Sequence, residues 1–180
     1  MRGTLLMAAR TQLRLSGLFE AYDRGLTAEA RQQLEGVMAG TWTPIALAHA
    51  HFAAVDALEL SEAAILENQR AGATKLHEVF LSTAFRLVRE SGLTPWTGMP
   101  ALAKVWERMF DGGAVGVQQV GPKDARLHIV AHPLLRYRYH RIGMRAHAEK
   151  VLGLCTVRVF VHEVAREASA DALTLLARWV

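Results

Sequence analysis

Eight histidines in 180 residues raise a metal reading first, because imidazole binds zinc, copper and iron. Their spacing speaks against one shared ion. His49 and His51 stand two apart in a helix-like stretch, so they point to different faces. His128 and His132 are four apart, but the first falls in a β-like run and the second precedes Pro133. His140 and His147 share a helical face, yet seven residues at ~1.5 Å each separate them by about 10 Å, too far for one ion with bonds of about 2 Å. No HExxH pair accompanies them, and the lone Cys155 leaves no thiolate pair and no disulfide within one chain. No metal site is expected. Nucleophile chemistry fares no better: there is no GxSxG elbow, no P-loop, and no GxGxxG following a strand. Cys155 opens an apolar run and reads as a small buried thiol. No catalytic residue is assigned, and a protein that is not an enzyme is expected.

The arginines and tyrosines of "HPLLRYRYHRIGMRAHAEK", residues 132–150, suggest a second chemistry. At 100° per residue, Leu135, Tyr139, Ile142 and Ala146 fall in one sector of about 60°. Tyr137, Met144, Ala148 and Val151 fall in a second, nearly opposite. Between them run two polar strips: Arg138, Arg141 and Arg145 on one side, Arg136, His140 and His147 on the other. A surface helix has one apolar face; this one has two apolar edges, so it should pack on two things. One is its own sheet. The other is a neighbouring helix, a ligand or a second copy of the chain, which makes Tyr137, Met144, Ala148 and Val151 the candidate interface of a homodimer. Arg138, Arg141 and Arg145 could reach phosphates, with tyrosines stacking on bases, but no helix-turn-helix, RRM or KH signature accompanies them. Nucleic acid is therefore an alternative partner, weighed against a salt-bridged face.

Aromatic residues offer a third. Trp42, Phe52, Phe80, Phe85, Trp106 and Phe110 are spread over helical stretches, with Trp106 and Phe110 four apart on one face. They read as core, or as the wall of a cavity of a few hundred Å³ between helices and sheet where an apolar ligand could sit. The candidate ligand-binding set is Trp42, Phe52, Phe80, Trp106, Phe110, Tyr137, Tyr139 and Arg141.

The elements that must position these groups change period along the chain. Residues 1–111 read mainly as helix: one over about 3–16, a short one capped by Thr27, one with Thr43 as cap and Pro44 at its first position, and one opened by Ser61. Gly72 either breaks that last helix or marks close packing. Leu76, Phe80, Thr83 and Leu87 form an apolar stripe, "SGLTPWTGMP" a loop, and Pro100 starts "ALAKVWERMF". From 112 onward, "AVGVQQV" and "ARLHIVA" flank the turn "GPKD" as a hairpin. A helix with Pro133 near its start follows, then strands in "LCTVRVFVHEV" and "ALTLLARWV". Helices first, then strand–strand–helix–strand–strand, gives one α+β domain over 1–180: a helical layer on a four-stranded antiparallel sheet.

Composition narrows the classes. The net charge is +4, from 21 Lys+Arg and 17 Asp+Glu, and the sequence pI near 9.6 permits an acidic partner without demanding one. Half the residues are hydrophobic, ordinary for a folded domain. Arg10 and Arg14 interrupt the N-terminal apolar run too early for a signal peptide, and no stretch of about 18 apolar residues suggests a membrane span. A cytoplasmic setting is expected.

The start "MRGTLL", "WTP" at 42–44, Gly72, "VWERMFDGG" at 105–113 and the closing "ARWV" resemble a myxobacterial paralogous family of uncharacterised proteins. The core of the likeness is Trp106-x-Arg108-x-Phe110-Asp111-x-Gly113. The element order is also similar to the superfamily of haem-NO-binding domains, 4-vinyl-reductase-type domains and TRAPP subunits. That resemblance implies helices on an antiparallel sheet, with a pocket between them in some branches. The haem branch implies a Met-basic-Gly start, matched by Met1-Arg2-Gly3, and a proximal histidine on the helix before the sheet, which "ALAKVWERMFDGG" lacks. Its Tyr-x-Ser-x-Arg haem-propionate motif is echoed in Tyr137-x-Tyr139-x-Arg141, with tyrosine in place of serine. The vinyl-reductase branch implies cysteines around a Gly-Asp turn; "EVAREASADALTL" offers Asp171 alone. The expectation is a regulatory or sensory module that binds a small apolar ligand or a protein partner, with a haem-based gas sensor third.

Overall fold

The computed structural model describes residues 1–80, 94–99 and 101–180, with backbone alone for 74–80, 98 and 101. The expected stripe Leu76, Phe80, Thr83 and Leu87, and the side chain of Phe85, lie outside the described residues. Gly3 opens α1 (Gly3–Leu15), and glycine is required there: a Cβ would run into the Met38 carbonyl oxygen. Arg2 beside it ties distant segments together. Its backbone N–H donates to Met109 O at 2.9 Å, its Nε to Arg108 O at 3.0 Å and its Nη1 to Gly40 O at 2.8 Å.

Helices α2 (Phe19–Arg24) and α3 (Ala28–Glu35) follow. Thr27 caps α3 as expected, accepting from Ala30 N at 3.1 Å. Helix α4 (Ile45–Asp56) starts one residue later than the sequence indicates, with Pro44 at the cap. Thr43 is buried instead, and both its N–H and its hydroxyl donate to Met1 O, at 3.0 and 2.7 Å. Ser61 opens α5 (Glu62–Phe80) by accepting from Ala64 N at 3.2 Å. That helix runs unbroken through Gly72, which faces Gln12 of α1. A helical turn, α6 (Pro95–Gly98), stands inside the segment expected to be loop, and α7 (Ala101–Met109) follows it.

The hairpin is β1 (Ala114–Gly121) and β2 (Asp124–Val130). With β3 (Val159–Glu163) and β4 (Leu173–Trp179) it forms an antiparallel sheet in the order β1-β2-β4-β3. The last strand thus sits inside the sheet. Its inward residues pair with those of β2: Ala125 with Ala177, Leu127 with Leu175, Ile129 with Leu173. All six are buried, and each Leu or Ile contributes about 1.5–3 kcal/mol. The strand expected from Leu154 starts only at Val159, because the chain first turns away from the preceding helix; Thr156 Oγ1 donates to Leu152 O at 3.1 Å.

The helix expected from Pro133 is divided. Pro133–Arg136 forms a 3₁₀ turn, Tyr137 is extended (φ −87°, ψ 124°), and α8 covers Arg138–Leu152. The cause is Asp56 at the end of α4, whose two carboxylate oxygens accept the N–H groups of Arg138 and Tyr139, each at 2.7 Å. An N-cap supplied by another helix satisfies two of the four orphan donors that begin a helix. Leu135 and Tyr137 therefore lie outside the helical wheel. Gly143 lets α8 cross α5 closely, since a Cβ there would stand 2.8 Å from Gln69 Cδ. Most of the buried hydrophobic residues of helices and sheet form one cluster. No helix among the described residues is long and apolar enough to cross a membrane.

Candidate functional site

An apolar cavity of about 140 Å³ lies where α1, α7, α8 and the sheet meet. Helix α7 gives one wall with Val105, Trp106 and Met109, extended by Phe110. The sheet gives a second with Leu127, Ile129 and Leu175, and α8 a third with Met144, His147, Ala148 and Val151; Leu5 of α1 closes one end. Leu102, Val105 and Met109 are half-buried. The apolar face of α7 recurs every three or four residues, which aims Leu102, Val105, Trp106 and Met109 at the same side. Trp106 and Phe110 pack with ring centroids 4.4 Å apart.

A polar cluster stands behind that aromatic pair. The His132 ring meets Trp106 and Phe110 edge-on, both at 4.8 Å, and its Nε2 lies 3.2 Å from His140 Nε2. Phe52 packs on His140 at 4.7 Å. The two histidines are 1% and 4% exposed. Burial pushes His132 down to about 4, helped by the N-terminal ammonium and His49. Burial also holds His140 well below the usual range, with His132, His147 and His51 adding to it. Burial favours the neutral form of both rings, and His132 Nδ1 finds no partner among the described residues. His51 is a separate buried ring, bonded through Nδ1 to Tyr22 Oη at 2.9 Å and pushed down to about 3 by burial and then Arg10. Spacing arguments missed the His132–His140 pair because they compared His132 only with His128 and His140 only with His147. No group of three or more His, Cys, Asp or Glu among the described residues is placed to hold a metal ion.

The expected ligand set divides. Trp106 and Phe110 line the cavity. Phe52 is buried one layer away, against His51, His140 and Tyr137. Trp42 is 46% exposed under the Arg2 guanidinium, 4.0 Å from its ring centroid, so it is no part of an interior site. The Phe80 side chain lies outside the described residues. Tyr137 bonds His49 Nδ1 through its hydroxyl at 3.0 Å, and Tyr139 donates to Asn68 Oδ1. Arg141 donates to Glu163 Oε1 at 2.8 Å and to the carbonyls of Leu135, Ser169 and Ala172 at 3.0, 2.8 and 2.9 Å.

The other expected surfaces are engaged internally. Met144, Ala148 and Val151, the edge assigned to a second copy, face the cavity, because α7 lies across from them; Tyr137 packs on His49 and Phe52. Of the arginines assigned to nucleic acid, Arg138 donates to Leu60 O, Arg145 pairs with Glu62 at 2.7 Å, and Arg141 is held as above. The chain's own carboxylates and carbonyls occupy that strip, which makes it a salt-bridged face.

No known family profile matches the sequence, and no curated protein matches it. The fold does have solved counterparts. An Fe(II) unliganded H-NOX protein from K. algicida superposes with a TM-score of 0.73 at 7% identity, covering 100% of this chain and 97% of that one. An oxygen-binding H-NOX domain related to soluble guanylate cyclases gives 0.65 at 14%, covering 99% and 95%. A structure from work on haem distortion in the H-NOX family gives 0.67 at 14%, with the same coverage. The chain has the H-NOX-like fold over its whole length.

Proposed function

We propose that this protein is a non-enzymatic sensory module that takes a small apolar molecule into the cavity between α1, α7, α8 and the sheet. The cavity itself carries the reading: about 140 Å³, walled by aliphatic, aromatic and thioether side chains. A dry apolar cavity of about 150 Å³ binds benzene. The ligand is therefore a single ring or a short branched alkane, since the cavity is smaller than the few hundred Å³ expected from sequence. The short motifs shared with the myxobacterial family, a cytoplasmic setting and a TRAPP-like use of the outer faces for protein partners belong to the same proposal. So does self-association, with some surface other than the cavity-facing edge of α8.

The likeness to H-NOX structures favours haem as a second reading, and the residues test it. Helix α7 presents Leu102, Val105, Trp106 and Met109 to the cavity and holds no histidine. The hydroxyls of Tyr137 and Tyr139 and the guanidinium of Arg141 are taken up by His49, Asn68, Glu163 and three carbonyls. His147 brings an imidazole to the wall from α8 instead, but a porphyrin exceeds the drug-sized ligands that need about 300–1,000 Å³. These residues do not fit haem.

Toluene titrated into protein labelled with [13C]methyl-methionine tests the cavity. The Met109 and Met144 signals should shift saturably, and A148L, which fills the space, should abolish the shift while keeping the fold. Unmoved methyls at saturating toluene would overturn the reading. Haemin added in parallel should give no stoichiometric Soret band; a stoichiometric one would put haem first.

A further inference from the structure

We infer that two copies of this chain associate through β1, whose antiparallel pairing with the β1 of the second copy joins two four-stranded sheets into one. This surface deepens the self-association reading above and rests on it. In the order β1-β2-β4-β3 the outer strands are β1 and β3, and an outer strand offers a row of backbone N–H and C=O groups for pairing. The two edges differ in chemistry. Strand β3 is five residues long, and charges attend it. Glu163 at its end is bonded to Arg141, and the Arg158 guanidinium before it lies 5.0 Å from the Phe160 ring centroid. Short length and charge blunt an edge against pairing. Strand β1 runs eight residues, "AVGVQQVG", without a charge or a proline, and its Val117 and Val120 are 37% and 53% exposed.

Charge placement selects a second copy as the occupant and sets its direction. Asp111 stands six residues before Val117 and Lys123 six residues after it, and both are exposed. In antiparallel pairing centred on Val117, Asp111 of each copy lies toward Lys123 of the other, twice over by the two-fold symmetry of such a contact. Parallel pairing would instead set Asp111 beside Asp111 and Lys123 beside Lys123. The same register suits the side chains. Val115 and Val117 stand opposite the buried Ile129 and Leu127 of β2, so both lie on the helix-facing side of the sheet. On that side Val117 meets Val117 of the second copy, and Val115 meets its Gln119. The irregularity in β1 falls beyond Gln119, past this paired stretch. Val115 also borders the cavity, so the cavity and the contact between copies share one strand.

The experiment is sedimentation velocity from about 1 μM to about 1 mM, with amide hydrogen exchange at both ends of that range. A single strand pair is at the small end of interfaces, below about 1,200 Å², so the dimer should fill in only toward the upper end. The β1 amides should gain protection as concentration rises and those of β3 should not, a readout that needs no variant to fold. K123E should weaken dimerisation about tenfold, because two attractions become two repulsions. R166E, the same change of charge at an arginine 78% exposed elsewhere, should alter it less than about twofold, since salt screens a distant charge. A dimer whose β1 amides stay as open as the monomer's, or one that responds equally to K123E and R166E, overturns the β1 assignment while self-association stands. A chain that stays monomeric throughout overturns both and leaves the edge to a strand of a different protein.

Discussion

Asp56 should hold the start of α8, and its removal can be worked out from the structure. Each carboxylate oxygen accepts one backbone N–H, from Arg138 and Tyr139, at 2.7 Å. Loss of an N-cap costs about 0.5–2 kcal/mol, and loss of a negative charge at a helix N-terminus about 0.3–1 kcal/mol. The two donors left behind differ. Arg138 is exposed, so water replaces its acceptor. Tyr139 is 2% exposed, so its N–H adds part of the about 1–3 kcal/mol that an unsatisfied buried donor costs. Asp56→Ala should therefore lose about 3 kcal/mol. Asp56→Asn keeps one acceptor oxygen and should lose about half of that. For a domain of this size about 1 kcal/mol moves Tm by roughly 2–4 °C, so D56A should melt roughly 6–12 °C lower. Urea unfolding followed by circular dichroism gives the free energies directly. Because α8 carries Met144 and His147, D56A should also weaken toluene binding. A loss under about 0.5 kcal/mol, or equal losses in D56N and D56A, would refute the assignment of this carboxylate as the cap of α8.

Arg141 joins α8 to the 3₁₀ turn, β3 and the segment before β4 through Glu163 and three carbonyls. Arg141→Ala should cost about 2–4 kcal/mol in urea unfolding, since several bonds to a charged donor are lost together, and Arg141→Lys should not restore it, because an ammonium lacks the planar fork; full recovery by lysine would contradict this. Gly3→Ala should lose about 1–3 kcal/mol through overpacking against the Met38 carbonyl, and an unchanged Tm would count against that clash. The buried histidines make stability depend on acid. His132 is lowered to about 4, His51 to about 3 and His140 well below 6.5. Between about pH 6.5 and 4 the unfolded chain takes up protons that the native state refuses. Stability is thus complete above about pH 7 and falls with acid, by up to about 1.4 kcal/mol per pH unit for each ring. Urea midpoints at pH 7.5, 6.5 and 5.5 should show it, and His132→Phe should flatten the slope; a flat wild-type profile would remove the argument.

What the sequence disclosed and what it hid divide by the distance over which the governing contact acts. Thr27 and Ser61 cap helices through bonds three residues away, and the hairpin turns on Pro122 and Lys123; composition at those positions is enough. The break at Tyr137 is set by a carboxylate 82 residues before Arg138, which no local pattern announces. His132, just before Pro133, brings its Nε2 to 3.2 Å from His140 Nε2, a meeting between two elements that spacing within either one does not show. The second apolar edge of α8 was legible as an edge, while the cavity that Met144, Ala148 and Val151 line, opposite α7, was not. The arginines were legible as a strip, yet many of their acceptors are backbone carbonyls, which have no sequence signature. Cavity volume is the least local quantity of all. It is what remains after α1, α7, α8 and three strands have packed, and each wall comes from a different part of the chain. Ala148 on α8 and the Trp106–Phe110 pair on α7 and just beyond it border the same space, so its volume depends on residues that no single stretch of sequence brings together.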